Sequence, residues 1–209
     1  MPSAVPKRRI LYAGCPGSGR RTSLGCLLDT TGAGEQLSLR WGEGATAREL
    51  EIRVLDLSSI GAAPGVPVTR PPDGWQDRQQ AFLAELDGIV LVVDPRRDRL
   101  EANDTELGRL SAALRHAGAD PGSVPLVFQL NKLDLPLDAQ GASHFAEITG
   151  SHEQPAVLVR APIAILRQRL RWPRCDFVET MAAAGVSVHQ AIEKLMAMCD
   201  LRRRGGGSG

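Results

Sequence analysis

No apolar run in this chain approaches the ~20 residues needed to cross a bilayer, and Met1 to Arg9 are basic without the apolar stretch of a secretory leader. Both absences point to a cytoplasmic protein. A Cys-x-x-Cys pair is also missing: Cys15, Cys26, Cys175 and Cys199 are scattered, as reduced thiols are, and not spaced as a disulfide frame or a zinc site. Cys26 and Cys199 fall at helical core spacings, where a thiol acts as a small hydrophobe. His116, His144, His152 and His189 share no ligand spacing with one another or with the cysteines, so no metal site is expected from them. Charge of one sign is lacking too. A net charge of +1 gives no overall field that would draw in nucleic acid or an anionic membrane.

What is present is a globular composition, 43% hydrophobic and 23% charged over 209 residues, which suits one packed domain. The domain is placed at 1–204. Gly205-Gly206-Gly207-Ser208-Gly209 has the composition of an appended flexible linker.

The pattern centres on Gly14-Cys15-Pro16-Gly17-Ser18-Gly19-Arg20-Arg21-Thr22. It follows the apolar run Ile10 to Ala13 and opens into a helical pattern with Leu24, Leu27 and Leu28. Strand, Gly-rich turn and helix in that order aim backbone N–H groups and a helix N-terminus at an anion. Gly14 and Gly19 have the P-loop spacing, but Arg20 stands where that rule wants Lys and Arg21 where it wants Ser or Thr. The stretch alone fits a phosphate cradle or an ordinary turn.

Downstream, Gln36 to Trp41 and Arg48 to Leu55 read as an antiparallel strand pair, the second half-buried, with Glu49, Glu51 and Arg53 alternating with apolar residues. A Pro/Gly-rich loop, 58–74, precedes a short helix carrying Phe82, Leu83 and Leu86. Gly88 to Val93, ending in Asp94, and Pro125 to Leu130 are continuous apolar runs, as in parallel strands buried on both faces. Leu100, Leu107, Leu110 and Leu114 mark a helix that Gly118 stops. Residues 137–161 are irregular and look inserted, with a short strand at 156–159. A helix follows with Pro162 in its first turn and Ile163, Leu166 and Leu170 on one stripe. Phe177 begins a last strand that runs to Met181-Ala182-Ala183. The final helix has Ser187 and Gln190 as a capping box and a stripe of Val188, Ile192, Leu195, Met196 and Cys199.

Alternating strands and helices predict an α/β fold with a mostly parallel sheet, one antiparallel edge pair and helices on both faces. Ligands bind such sheets at the carboxyl ends of the strands. The Gly14 loop, Asp56, Asp94, Asn131 to Asp134 and Met181 to Ala183 all fall there.

A P-loop followed by a strand ending in Asn131-Lys132-Leu133-Asp134 resembles a Ras-type guanine-nucleotide fold, with six strands. Further stretches are similar to the MglA-type bacterial Ras-like GTPases: Ile10 to Gly14, Asp87 to Asp94, Ala102-Asn103, Val127 to Pro136, and Ala184 to Val188. The resemblance covers most of 8–134 and 162–203 and is weak over 33–75. It implies phosphate binding at Gly14, Gly17, Ser18, Gly19, Arg20, Arg21 and Thr22, and guanine reading by Asn131, Lys132 and Asp134, with Ala182 and Ala183 beside the base. GTP or GDP is the implied ligand. A Roadblock/LC7-like regulatory or effector protein is the implied partner, and bacterial polarity or motility the implied setting.

The departures from the family pattern lie on the phosphate side. Arg20 is a bulkier planar cation than the family Lys. Arg21 replaces the hydroxyl that ligates Mg²⁺, and Thr22, one residue on, is turned by about 100° around the helix. In the switch segment Asp56-Leu57-Ser58-Ser59 the family glycine is Ser59; Ile60 stands where relatives carry a water-positioning Gln, and Gly61 restores the glycine only if the loop slips. Thr46 is the switch threonine by position only. The expected function is a nucleotide-binding switch or sensor with little or no GTP hydrolysis, Mg²⁺ being doubtful and no catalytic residue assigned. The alternatives are a nucleotide-free adaptor and an active GTPase that uses Arg20 or a partner's arginine. Arg160, Arg167, Arg169, Arg171 and Arg174 around Trp172 read as a solvated helix face, against a docking site for an acidic partner or an anionic membrane surface.

Overall fold

The computed structural model describes residues 6–28, 36–41, 47–55, 57, 77–135 and 160–205. The expected switch residues Asp56, Ser59 and Gly61, with Thr46, the whole of loop 58–74 and 137–159 of the irregular segment, lie outside them.

Six strands form one sheet in the order β2-β3-β1-β4-β5-β6. They are β1 (Lys7–Ala13), β2 (Gln36–Trp41), β3 (Arg48–Val54), β4 (Gly88–Val93), β5 (Leu126–Leu130) and β6 (Cys175–Glu179). Only the β2–β3 edge pair is antiparallel. Every residue of β4 and β5 is buried, as their unbroken apolar runs require of strands covered on both faces.

Among the described residues five α-helices cover the sheet: α1 (Arg20–Leu28), α2 (Asp77–Ala84), α3 (Leu100–His116), α4 (Ile163–Arg169) and α5 (Val188–Gly205). Two apolar cores result. On one face Leu24 of α1 and Ala191, Ile192 and Leu195 of α5 meet Ile10, Tyr12, Val90, Val92 and Val127. On the other, Phe82 and Leu83 of α2, Leu110 and Leu114 of α3 and Leu166 of α4 meet Leu11, Ile89, Leu91 and Phe128. Each such fully buried side chain contributes about 1.5–3 kcal/mol of transfer free energy. The expected α5 stripe is buried throughout, from Val188 to Cys199. Gly118 closes α3 as expected: its N–H donates to Arg115 O and that of Ala119 to Leu114 O, the paired bonds of a Schellman stop.

Three expectations change. The alternation in β3 predicted a solvent face at Glu51, but Glu51 is buried beneath Lys7, Arg9 and Arg53. Three cations on one carboxylate make that burial tolerable. The last strand begins at Cys175 and stops at Glu179, and Ala182–Ala184 form a 3₁₀ turn. The chain leaves the sheet because Met181 and Val186 exchange backbone bonds and the Ala182 N–H is taken by a side chain of another loop. Ser187 precedes α5 with φ +59°, whereas an N-cap residue is normally extended. The tight 181–186 turn, not a capping box, sets the entry of the helix.

Around α4, Trp172 is buried with its indole N–H on Val124 O, while Arg167, Arg169, Arg171 and Arg174 are exposed. Arg169 pairs with Asp104 and Arg167 lies over the Phe177 ring. This is the solvated face that the charge pattern suggested.

Candidate functional site

The loop after β1 leaves the sheet under tight steric control. A Cβ on Gly14 would stand 2.3 Å from Val92 O, with φ at +145°. One on Gly19, at φ +103°, would stand 2.2 Å from Asn131 Nδ2. Both positions therefore require glycine. Between them the carbonyls are used up by donors. Cys15 O accepts from Ser18 N, and Gly19 O from Ser23 N and Ser23 Oγ. Pro16 O accepts from Arg99 Nη2 at 3.0 Å, Gly17 O from Lys132 Nζ at 2.6 Å, and Ser18 O from Asn131 Nδ2 at 2.9 Å. The Ser18 N–H is spent on Cys15 O, but a loop whose carbonyls are held this way, ahead of a helix N-terminus, can turn its other N–H groups toward an anion.

Asn131 and Lys132 leave the end of β5 for that same loop. The Asn131 carboxamide bridges two segments, since its Oδ1 accepts from Ala182 N at 2.8 Å while its Nδ2 holds Ser18 O. Gln129, fully buried two residues earlier on the same strand face, donates to Ser23 Oγ of α1 and to Thr180 Oγ1 and ties β5 to both below. Lys132 has φ +58°, a costly backbone for a side-chain-bearing residue, and from it Nζ reaches both Gly17 O and Asp94 Oδ2 at 2.7 Å. Asp134 and Ala183 are exposed, and Ala182 is buried. The Cys26 thiol of α1 donates to Ala182 O at 2.9 Å. The structure thus brings together the Gly14 loop, Asn131, Lys132 and the Ala182 turn.

Sequence reasoning assigned no role to several residues that build this frame. Asp94 is fully buried at the end of β4 and is gripped by Arg96 and Lys132. Burial pushes its pKa up, but the hydrogen bonds from Arg96 and Lys132 outweigh burial and hold it below the usual carboxylate range. Asn103 of α3 locks the same corner, accepting from Asp94 N and donating to Asp94 O. Glu106 of α3 is buried behind the loop and bonds to the Gly14 backbone; burial raises its pKa against the lowering effect of Arg20 and Arg109. An acid closing a buried strand with Arg two positions on was the available signal for Asp94 and Arg96. Glu106 and Arg99 carried none.

Arg20 turns to the end of β3 and donates to Leu55 O at 3.1 Å. Arg21 and Thr22 are exposed on the first turn of α1. The next hydroxyl, Ser23, is buried and already bonded to Gly19 O and Gln129. The first turn therefore offers a guanidinium at position 21 where a divalent cation needs oxygen, and these residues do not fit Mg²⁺. Among the described residues no cluster of His, Cys, Asp or Glu is placed to hold a metal ion.

A six-stranded sheet in this order, with a Gly-rich loop after β1 pinned by an Asn-Lys-x-Asp turn after β5, defines a Ras-like G domain. No protein-family model matches the chain. It is 31% identical over 134 residues to the mutual gliding-motility protein MglA of Myxococcus xanthus, an overlap of 61% of this chain and 68% of that protein. The chain belongs to the Ras-like GTPase family that includes MglA.

Proposed function

We propose that this protein is a guanine-nucleotide-binding switch or sensor that takes GTP or GDP and hydrolyses GTP slowly or not at all. The observation that carries the reading is the Asn131 carboxamide, which holds Ser18 O and Ala182 N at once. It fixes the base-reading turn to the phosphate loop in a single frame. The exposed Asp134 carboxylate suits the two N–H groups on the guanine edge, a charged acceptor forked onto two donors. The loop amides and the Arg20 cation suit the phosphates. Ala182 and Ala183 flank the base.

Phosphoryl transfer relies on metal, a Lys point charge and an oriented water to stabilise the transition state. Arg21 supplies no metal ligand, and Arg20 is directed to Leu55 O. Slow turnover follows from that. A Roadblock/LC7-like regulatory partner, a cytoplasmic location and a role in polarity or motility come with the kinship to MglA and belong to the same proposal.

The test is to denature purified protein and chromatograph the released small molecules. GDP or GTP is expected, along with an Asp134→Asn variant whose preference moves from guanine toward xanthine nucleotides by roughly tenfold to a hundredfold. Protein that emerges empty and binds neither nucleotide overturns this reading and leaves a nucleotide-free adaptor.

A further inference from the structure

Three consecutive carbonyls of the phosphate loop, those of Pro16, Gly17 and Ser18, are each held by a side chain from outside the loop. Two of the donors, Lys132 and Asn131, come from the Asn-Lys-x-Asp turn. The third, Arg99, comes from a different element, the 3₁₀ turn Arg97–Arg99 that links β4 to α3. We propose that Arg99 is a positioning residue for nucleotide phosphates, a strut that turns the Pro16–Gly17 peptide so that its N–H faces the ligand. The inference rests on the nucleotide-binding reading above.

The geometry is specific. A peptide plane presents its N–H opposite its C=O, so holding Pro16 O on the outer side aims Gly17 N–H at the inner side. Gly17 lies at φ +80°, and the Arg99 terminal nitrogen would be 3.5 Å from any Cβ placed there. The guanidinium therefore lies along the outer wall of the loop at the residue most free to flip. Loop and strut are also joined from behind. Arg99 opens onto α3, whose Asn103 bonds both backbone groups of Asp94, and Asp94 in turn holds Lys132. Arg99 and Lys132 thus connect to one buried corner at the end of β4, where the Asn131 N–H also donates to Val93 O. Arg99 Nε is buried without a hydrogen-bond partner. Such a group is costly to keep. A cation here also adds to the positive potential of a loop built for phosphate.

The experiment uses the full chain and two variants, Arg99→Ala and Arg99→Gln, with a fluorescent GDP analogue. Dissociation should be about tenfold faster in both. Guanine-over-adenine preference should not change, because Asn131 and Asp134 are untouched. Amide hydrogen exchange of Gly17 and Ser18 should speed up in the ligand-free variants, while the urea midpoint stays near that of the unaltered chain. Arg99→Lys, which keeps one donor, should recover part of the effect, as should added guanidinium at non-denaturing concentration with the Ala variant. If the unaltered chain binds GDP and the variants release it at the same rate, the role of Arg99 is overturned alone. If faster release comes with a collapsed urea midpoint and no recovery by Lys, Arg99 is merely structural and the proposal also fails. If the unaltered chain binds no guanine nucleotide, the underlying functional reading fails instead.

Discussion

At the scale of single residues, Asp94 concentrates the electrostatics of the site. It is fully buried, and both Arg96 and Lys132 depend on it for a counter-charge. Asp94→Asn keeps the shape and removes the charge, and should lower unfolding free energy by roughly 2–4 kcal/mol in urea titrations at pH 7. The pH dependence has a definite sign. Because the folded pKa is depressed, the unfolded chain binds the proton more readily, so stability is present above the ordinary carboxylate pKa near ~4 and is lost as pH falls below it. Glu51 and Asp176 are depressed as well, so the part due to Asp94 is read as the difference between the unaltered chain and the Asn variant, whose stability should fall less steeply below about pH 4.

Gly19 shows how far residue-level reading reaches. Its spacing from Gly14 named a phosphate loop, but no spacing rule shows that Asn131 Nδ2 occupies the room where its side chain would be. Gly19→Ala should displace that carboxamide and strain the backbone, at a cost of roughly 1–3 kcal/mol. Nucleotide affinity and base selectivity should fall together in competition binding, since one side chain serves both halves. Loss of affinity with selectivity intact would show that the two halves act separately.

At the scale of elements, periodicity was a dependable guide wherever burial was decided by the residue's own strand or helix. The α5 stripe and the all-apolar β4 and β5 are buried as their patterns require. Ile192→Ala on that stripe should cost about 2–5 kcal/mol, and Glu193→Ala on the exposed side should stay within about 0.5 kcal/mol, both read from denaturant midpoints at constant slope. Legibility ended where an element's neighbours decide. Glu51 alternates like a solvent-facing residue, yet lies under cations from β1 and from its own strand. The end of β6 is not legible in its own residues because the bond that turns the chain away, Ala182 N–H to Asn131 Oδ1, joins positions that are far apart in sequence. Tertiary bonds of that kind leave no local trace.

At the scale of the whole molecule, two sets of loops meet at the carboxyl edge of one sheet, as the topology dictates. The set around the Asn131 turn is cross-braced by Asn131, Gln129 and the Ala182 turn. On the Gly14-loop side Arg20 and Arg21 replace residues that the resemblance led one to expect, and Arg20 is held at the end of β3. The motifs made this asymmetry visible in the sequence. The sequence placed Asp94 at that edge, but its bracing with Arg96, Arg99 and Asn103 depends on where the β4–α3 connection passes, which no motif states. The measurement that tests the account most directly is calorimetric titration of nucleotide-free protein with GDP and GTP, in Mg²⁺ and again in EDTA, with phosphate release followed on the same samples. The account predicts guanine-selective binding of similar affinity in both buffers and negligible phosphate release. Tight GTP binding that needs Mg²⁺ and proceeds to turnover would contradict it.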